Sequence, residues 1–259
     1  MERSEILNDL AAAFRWTAKL NMHEGIANHF SVCIPGSSDF YVNGSGMHFS
    51  TIKASDLILV EQNKIEELKK KPDLVDPTAI NIHGTIHKKV PHARCILHIH
   101  SKYATALSVL KNPTLPPIDQ NTMRFYNRVA VYDDFGGLGF EEESNKMAAC
   151  IGNNSTMLLA NHGILTTGQT VAQAFDELFY FEKACETYIT ALSTGKELKI
   201  ATPEVAEKTA QDWENYPTGL GELHLKAIRS ILDKEDPSCL LYTSPSPRDQ
   251  RGSRMPSSA

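Results

Sequence analysis

The heptapeptide CILHIHS at Cys95–Ser101 sets the tightest limit on how this chain folds. The run is apolar and short, so it reads as a buried strand rather than a helix. It places His98 and His100 at i and i+2, which on a strand sends both imidazoles to one face. Leu97 and Ile99 take the opposite, core-facing side, while Ile96 shares the side of the histidines. Buried histidines need partners, and two imidazoles this close can share a ligand, so the pattern points to a metal chelate. Two separately hydrogen-bonded core histidines are the competing reading.

Around that strand the chain alternates helical and extended texture. Residues 4–20 keep helical spacing with Ile6, Leu10 and Phe14 facing inward. HFSVCIP and DFYVN read as short strands joined by a turn, and DLILV at Asp56–Val60 as a third, followed by a polar, exposed continuation. Asp76-Pro77-Thr78 opens a helix that runs to about Lys89, with Asp76 as N-cap and Pro77 at the first helical position. After the histidine strand come a helix in SKYATALSVLK, a strand in RVAVYD and a helix in EEESNKMAACIG. STMLLANHGILTTG reads as strand, sharp turn at Asn161–Gly163, strand. A long helix fills 170–194 and a last one roughly 218–234. The long helix carries more aromatic surface than one face needs, which suits either a deeply buried core helix or an oligomer contact. Strands interleaved with helices predict a layered α/β domain over residues 1–239.

Composition narrows the function classes. With 259 residues, 41% of them hydrophobic, the chain can bury a large core without disulfides. A net charge of −5 with no dense basic run argues against nucleic acid as partner, and no apolar run approaches the length of a membrane span. Five scattered cysteines without a CxxC pair fit reduced thiols, so a cytoplasmic protein is expected. From Leu240 the texture breaks: LLYTSPSPRDQRGSRMPSSA holds five serines, three prolines and three arginines. Residues 240–259 are expected to be disordered. The string resembles translated adapter sequence read through at a truncated gene end, and it is set aside as non-native.

His162 is the natural third ligand, since ANHG places it where an apolar strand meets a glycine turn. Three strand-borne histidines would give Zn²⁺ or another divalent transition metal three neutral ligands and one open position. His83 and His87 are spaced i, i+4 in HGTIH, which lacks the glutamate of HExxH, and read as structural or supporting groups.

ILHIHS, ANHG, the NGSG loop and the long helix after them resemble the class II aldolase/adducin family over roughly residues 4–215. The resemblance implies a three-layer α/β/α fold with a central, mostly antiparallel sheet. It implies zinc-dependent aldolases or epimerases that form homo-oligomers, commonly tetramers, with metal ligands at His98, His100 and His162. Phosphate and substrate contacts would fall on Asn28, Ser45, Gly46 and Thr78, where backbone N–H groups, hydroxyls and a helix start suit an anion.

The departures from the family pattern are specific. The acid/base carboxylate of the aldolases is Ala79 here, the Gly-Asn of the first phosphate loop is Ala27-Asn28, and the proton-donating tyrosine aligns with Gln120. His83, Tyr126 and Glu24 are the substitute proton-transfer candidates. Two functions follow. One is a metal-dependent lyase for a small hydroxy-carbonyl or sugar-phosphate compound, in which the metal stabilises an enediolate. The other is a non-catalytic, adducin-like head that binds actin or cytoskeletal partners, a branch suggested by Ala79 and by the DPTA and YDDFGG texture.

Overall fold

In the computed structural model, the described residues are 2–134, 136–137 and 140–236. The tail at 240–259, and Phe135 of the YDDFGG segment, lie outside them. The first half comprises α1 (Arg3–Lys19), β1 (His29–Cys33), β2 (Phe40–Val42), β3 (Ile58–Val60), α2 (Ile65–Leu68), α3 (Pro77–Lys89) and β4 (Cys95–Ile99). Then come α4 (Lys102–Ser108), α5 (Gln120–Arg124), β5 (Val129–Tyr132), α6 (Glu141–Ile151), β6 (Thr156–Leu159) and β7 (Gly163–Gly168). Three helices close the described chain: α7 (Val171–Ser193), α8 (Pro203–Glu214) and α9 (Leu220–Glu235).

The strands form one sheet in the order β3-β2-β1-β4-β7-β6-β5. Only β5 with β6 is parallel; every other pairing is antiparallel. The histidine strand β4 therefore sits at the centre, and all five of its residues are buried. Its alternation separates two cores. Cys95, Leu97 and Ile99 join a cluster with Phe14 of α1, Phe175 of α7 and Ile228 of α9. Ile96 joins Ile82 and Ile86 of α3 and Met147 of α6 on the other face. Helices on both faces make the three-layer α/β/α arrangement, with the histidine side of β4 beneath α3.

Local chemistry places the helices that matter for the site. The Asp76 carboxylate accepts the Thr78 N–H at 2.7 Å, and Pro77 occupies the first turn, so α3 starts at the expected residue. Thr170 caps α7 by accepting the Gln173 N–H at 3.1 Å. Phe175, Leu178 and Phe181 of α7 are buried in the core. Phe179 packs on His224 of α9 and Tyr180 on Trp213 of α8, so the aromatic surplus of α7 is partly covered within the chain.

The differences from expectation are small and have identifiable causes. The third strand begins at Ile58 rather than Asp56, because the Asp56 carboxylate accepts the Lys53 N–H at 2.9 Å and closes a 3₁₀ turn over Ala54–Asp56. The polar continuation after it contains the one-turn helix α2. Helices α5 and α8 are additional, and α8 buries only Ala206 and Ala210. No described helix is long and apolar enough to cross a membrane.

Candidate metal centre

Two adjacent strands bring the three predicted ligands together. β4 and β7 pair antiparallel with Ile99 opposite Ile164, which sets His100, just past the end of β4, beside His162, just before β7. Ring centroids lie 4.9 Å apart for His98–His100, 4.8 Å for His98–His162 and 4.7 Å for His100–His162. One nitrogen from each ring falls within 4.8 Å of the others.

The tautomers of two of these rings follow from their partners. His98 Nδ1 lies 2.9 Å from the Ile164 carbonyl oxygen, which can only accept, so Nδ1 carries the proton and Nε2 the lone pair. His100 Nδ1 donates to the Glu24 carboxylate at 2.6 Å, leaving its Nε2 bare as well. The two Nε2 atoms then face each other at 3.1 Å. Two lone pairs at that distance repel unless a proton or a metal ion lies between them. Ligand nitrogens around a tetrahedral zinc with bonds of about 2.0–2.1 Å lie about 3.3 Å apart, so the donor set fits a metal ion. Burial is the main cause that holds His98 well below the usual imidazole range, and it pulls His162 down to about 4. Neutral imidazoles keep the lone pairs that a metal needs.

The residues around the ligands explain why the chain is built this way. Asn161 adopts φ +55° in the tight β6–β7 turn, where asparagine is tolerated, and it aims His162 back at β4. Gly163 is required for close approach: a Cβ there would lie 2.5 Å from the Ile99 carbonyl oxygen and 3.3 Å from His100 Cα. Gly163→Ala is expected to push β7 off β4 beside the ligands and to destabilise the protein by about 3 kcal/mol in urea unfolding. Glu182 of α7, a buried carboxylate, accepts the Ser101 hydroxyl at 2.6 Å and the Tyr103 and Ala104 N–H groups at 3.0 and 2.9 Å. It thereby pins the junction that follows His100. Mid-helix acids of this kind carry no signal in the sequence.

Glu24 is the outer partner of His100. Its loop is held by its own N–H, which donates to Asn28 Oδ1 at 2.6 Å. Outer carboxylates orient metal-bound histidines and raise their basicity. Glu24→Gln is expected to weaken metal binding about 10- to 100-fold in a titration against a chelating dye, and an unchanged affinity contradicts the assignment.

Of the expected substrate contacts, Asn28 precedes β1, Ser45 and Gly46 follow β2, and Thr78 lies in the first turn of α3. Asn43 Nδ2 donates to the Asn28 carbonyl at 3.3 Å, and the Ser45 N–H donates to the Leu74 carbonyl at 3.0 Å, so the three candidate substrate loops are tied together. Asn28 is buried, and its Nδ2 has no partner among the described residues, an unsatisfied buried donor. The Ser45 hydroxyl donates to the Pro72 carbonyl and the Thr78 hydroxyl to Asp76. Gly46 is needed for its φ of +72° and not for closeness, since nothing lies within 4 Å of a Cβ there. Ala79 is 1% exposed and packs with Phe40, Val42 and Ile80. Tyr126 lines a separate cavity of about 310 Å³ with Leu107, Leu115 and Phe181. His83 is fully buried with both ring nitrogens engaged.

Sequence reasoning did not single out His29. It stands directly opposite His98 in the β1–β4 pairing, with ring centroids 4.9 Å apart. Burial pulls it down to about 4. Its Nδ1 meets His83 Nε2 at 2.6 Å, and the ladder continues through Ser31 to His87.

Comparison with known proteins agrees with the fold. The profile of the "Class II Aldolase and Adducin N-terminal domain" matches residues 8–189. The "Putative aldolase class 2 protein" of Caulobacter vibrioides is 32% identical over 234 residues, covering 88% of this chain and 89% of that protein. Human beta-adducin is 33% identical over 210 residues, covering 75% of this chain and 28% of the much longer adducin. The structure of L-fuculose 1-phosphate aldolase from Glaciozyma antarctica superposes with a TM-score of 0.76 at 27% identity, covering 90% of this chain and 92% of that one. The chain belongs to the class II aldolase/adducin family.

Proposed function

We propose that this chain is a metal-dependent lyase of the aldolase type, acting on a small hydroxy-carbonyl or sugar-phosphate compound, with zinc on His98, His100 and His162. The observation that carries the reading is the convergence of two tautomer-fixed Nε2 lone pairs at 3.1 Å beside His162. A divalent ion bound there supplies Lewis-acid stabilisation of negative charge that develops on substrate oxygens. His98 and His100 present their Nε2 atoms, and Glu24 fixes the orientation of His100. The Asn28 Nδ2, unpartnered among the described residues, offers a hydrogen bond to a substrate acceptor, with Ser45, Gly46 and Thr78 as the neighbouring contacts. Of the proton-transfer candidates, Glu24 alone touches a ligand. The chain is further proposed to act as a homo-oligomer, a tetramer by family resemblance.

The test is a screen of hydroxy-carbonyl compounds, each with and without phosphate, on protein loaded with one equivalent of zinc. Turnover that a chelator abolishes and zinc restores is the expected result. Absence of turnover across the screen in fully loaded protein contradicts the reading.

A second reading, a non-catalytic head that binds actin, is favoured by Ala79. That alanine faces an apolar cluster and can move no proton, and the chain shares 33% identity with human beta-adducin. Co-sedimentation of the protein with filamentous actin supports this reading, and protein left in the supernatant counts against it.

A further inference from the structure

We infer that His29 recognises a substrate hydroxyl, because a one-way chain of hydrogen bonds keeps its Nε2 a bare acceptor beside the metal centre. The chain starts at the Ala93 carbonyl oxygen, which can only accept. His87 Nδ1 donates to it at 2.6 Å, so His87 Nε2 holds a lone pair. The Ser31 hydroxyl donates its single proton to that nitrogen at 2.7 Å. Ser31 Oγ must then accept from His83 Nδ1, its other neighbour. His83 Nε2 is left bare and accepts from His29 Nδ1 at 2.6 Å. Each link fixes the next, and the last consequence is a lone pair on His29 Nε2. The described residues supply no partner for that atom.

Placement assigns that lone pair to a ligand and not to the metal. His29 faces His98 across the β1–β4 pairing, with ring centroids 4.9 Å apart. It does not belong to the group of nitrogens that converge within 4.8 Å. A neutral acceptor beside the ligand set selects a group that donates, such as the O–H of a hydroxy-carbonyl, over an ether or a deoxy analogue. The alignment of protons runs through four buried polar groups, His29 and Ser31 on β1 and His83 and His87 on α3. The identity of the ligand rests on the lyase reading, whereas the tautomer of His29 does not.

The experiment is nitrogen NMR of full-length, zinc-loaded protein labelled at histidine, with hydroxyacetone and methoxyacetone as probes. His29 is expected to show a protonated Nδ1 and a bare Nε2. Hydroxyacetone is expected to shift the Nε2 resonance and to bind roughly 10- to 100-fold more tightly than methoxyacetone. In Ser31→Ala, which breaks the chain two links away and leaves His29 in place, the two tautomers mix and the preference falls severalfold. His29→Phe is expected to abolish the preference. A proton found on His29 Nε2 in the wild-type protein overturns the inference. Equal responses to the two probes, including none to either, also overturn it. Zinc that fails to load, with the tautomer as stated, overturns the lyase reading instead.

Discussion

Replacing His98 with alanine is expected to remove metal binding, by more than about 100-fold in affinity, well beyond the effect of losing an outer partner such as Glu24. The reason lies in how firmly this ligand is set. His98 is 1% exposed on the central strand, its Nδ1–H is committed to the Ile164 carbonyl, and its Nε2 is the innermost of the converging donors. Without it, His100 and His162 remain as two half-buried imidazoles, and two neutral ligands do not make a tight zinc site. The His98→Ala, His100→Ala double variant should bind no measurable metal by elemental analysis. If the single variant retains a full equivalent, the ion sits elsewhere.

Acid is expected to have an equally large effect on the metal-free protein. His29, His83 and His87 are buried among one another, and burial is the largest cause of the depression of each. His29 is pulled down to about 4 and His87 to about 3, and His83 is lowered well below its ordinary 6.5. The sign follows from linkage. Below pH 6.5 the unfolded chain takes up protons that the folded chain refuses, so this contribution to stability is full above 6.5 and lost as pH falls towards the folded values. Each group contributes about 1.4 kcal/mol per pH unit in that window, and the three together at most about 4. Between pH 6.5 and 5 the loss is at most about 6 kcal/mol, a large share of the about 5–15 kcal/mol by which domains are typically stable. Urea unfolding at pH 7, 6 and 5 reads this directly, and a flat profile contradicts the buried ladder.

The site was legible in sequence to the extent that it lay within one element. The alternation of ILHIHS announces a strand whose two faces differ, and in the structure Ile96 and Leu97 do enter different cores. His162 stands out because Asn and Gly punctuate the turn around it. What no single stretch reveals is register. That His29 pairs with His98, and that Ser31 reaches His83 and His87, depends on β1 lying beside β4 under α3, a pairing between segments some 70 residues apart. The alternate polar positions of HFS at 29–31 are the signal that could have been used, since HIH at 98–100 has the same pattern. Glu182 was invisible for another reason: an acid within a long amphipathic helix looks the same whether it faces water or caps a neighbouring helix. Helix α8 buries only two alanines, yet its sequence carried the signal: Thr202-Pro203 marks its start, and Ala206, Ala210 and Trp213 keep helical spacing.

The most direct measurement is the metal content of freshly purified protein, by elemental analysis, before and after dialysis against a chelator. The expected result is about one equivalent of zinc or a comparable divalent ion per chain, removed by the chelator and restored by zinc alone. Protein that carries no metal as purified, and takes up none when zinc is supplied, contradicts the metal centre at His98, His100 and His162.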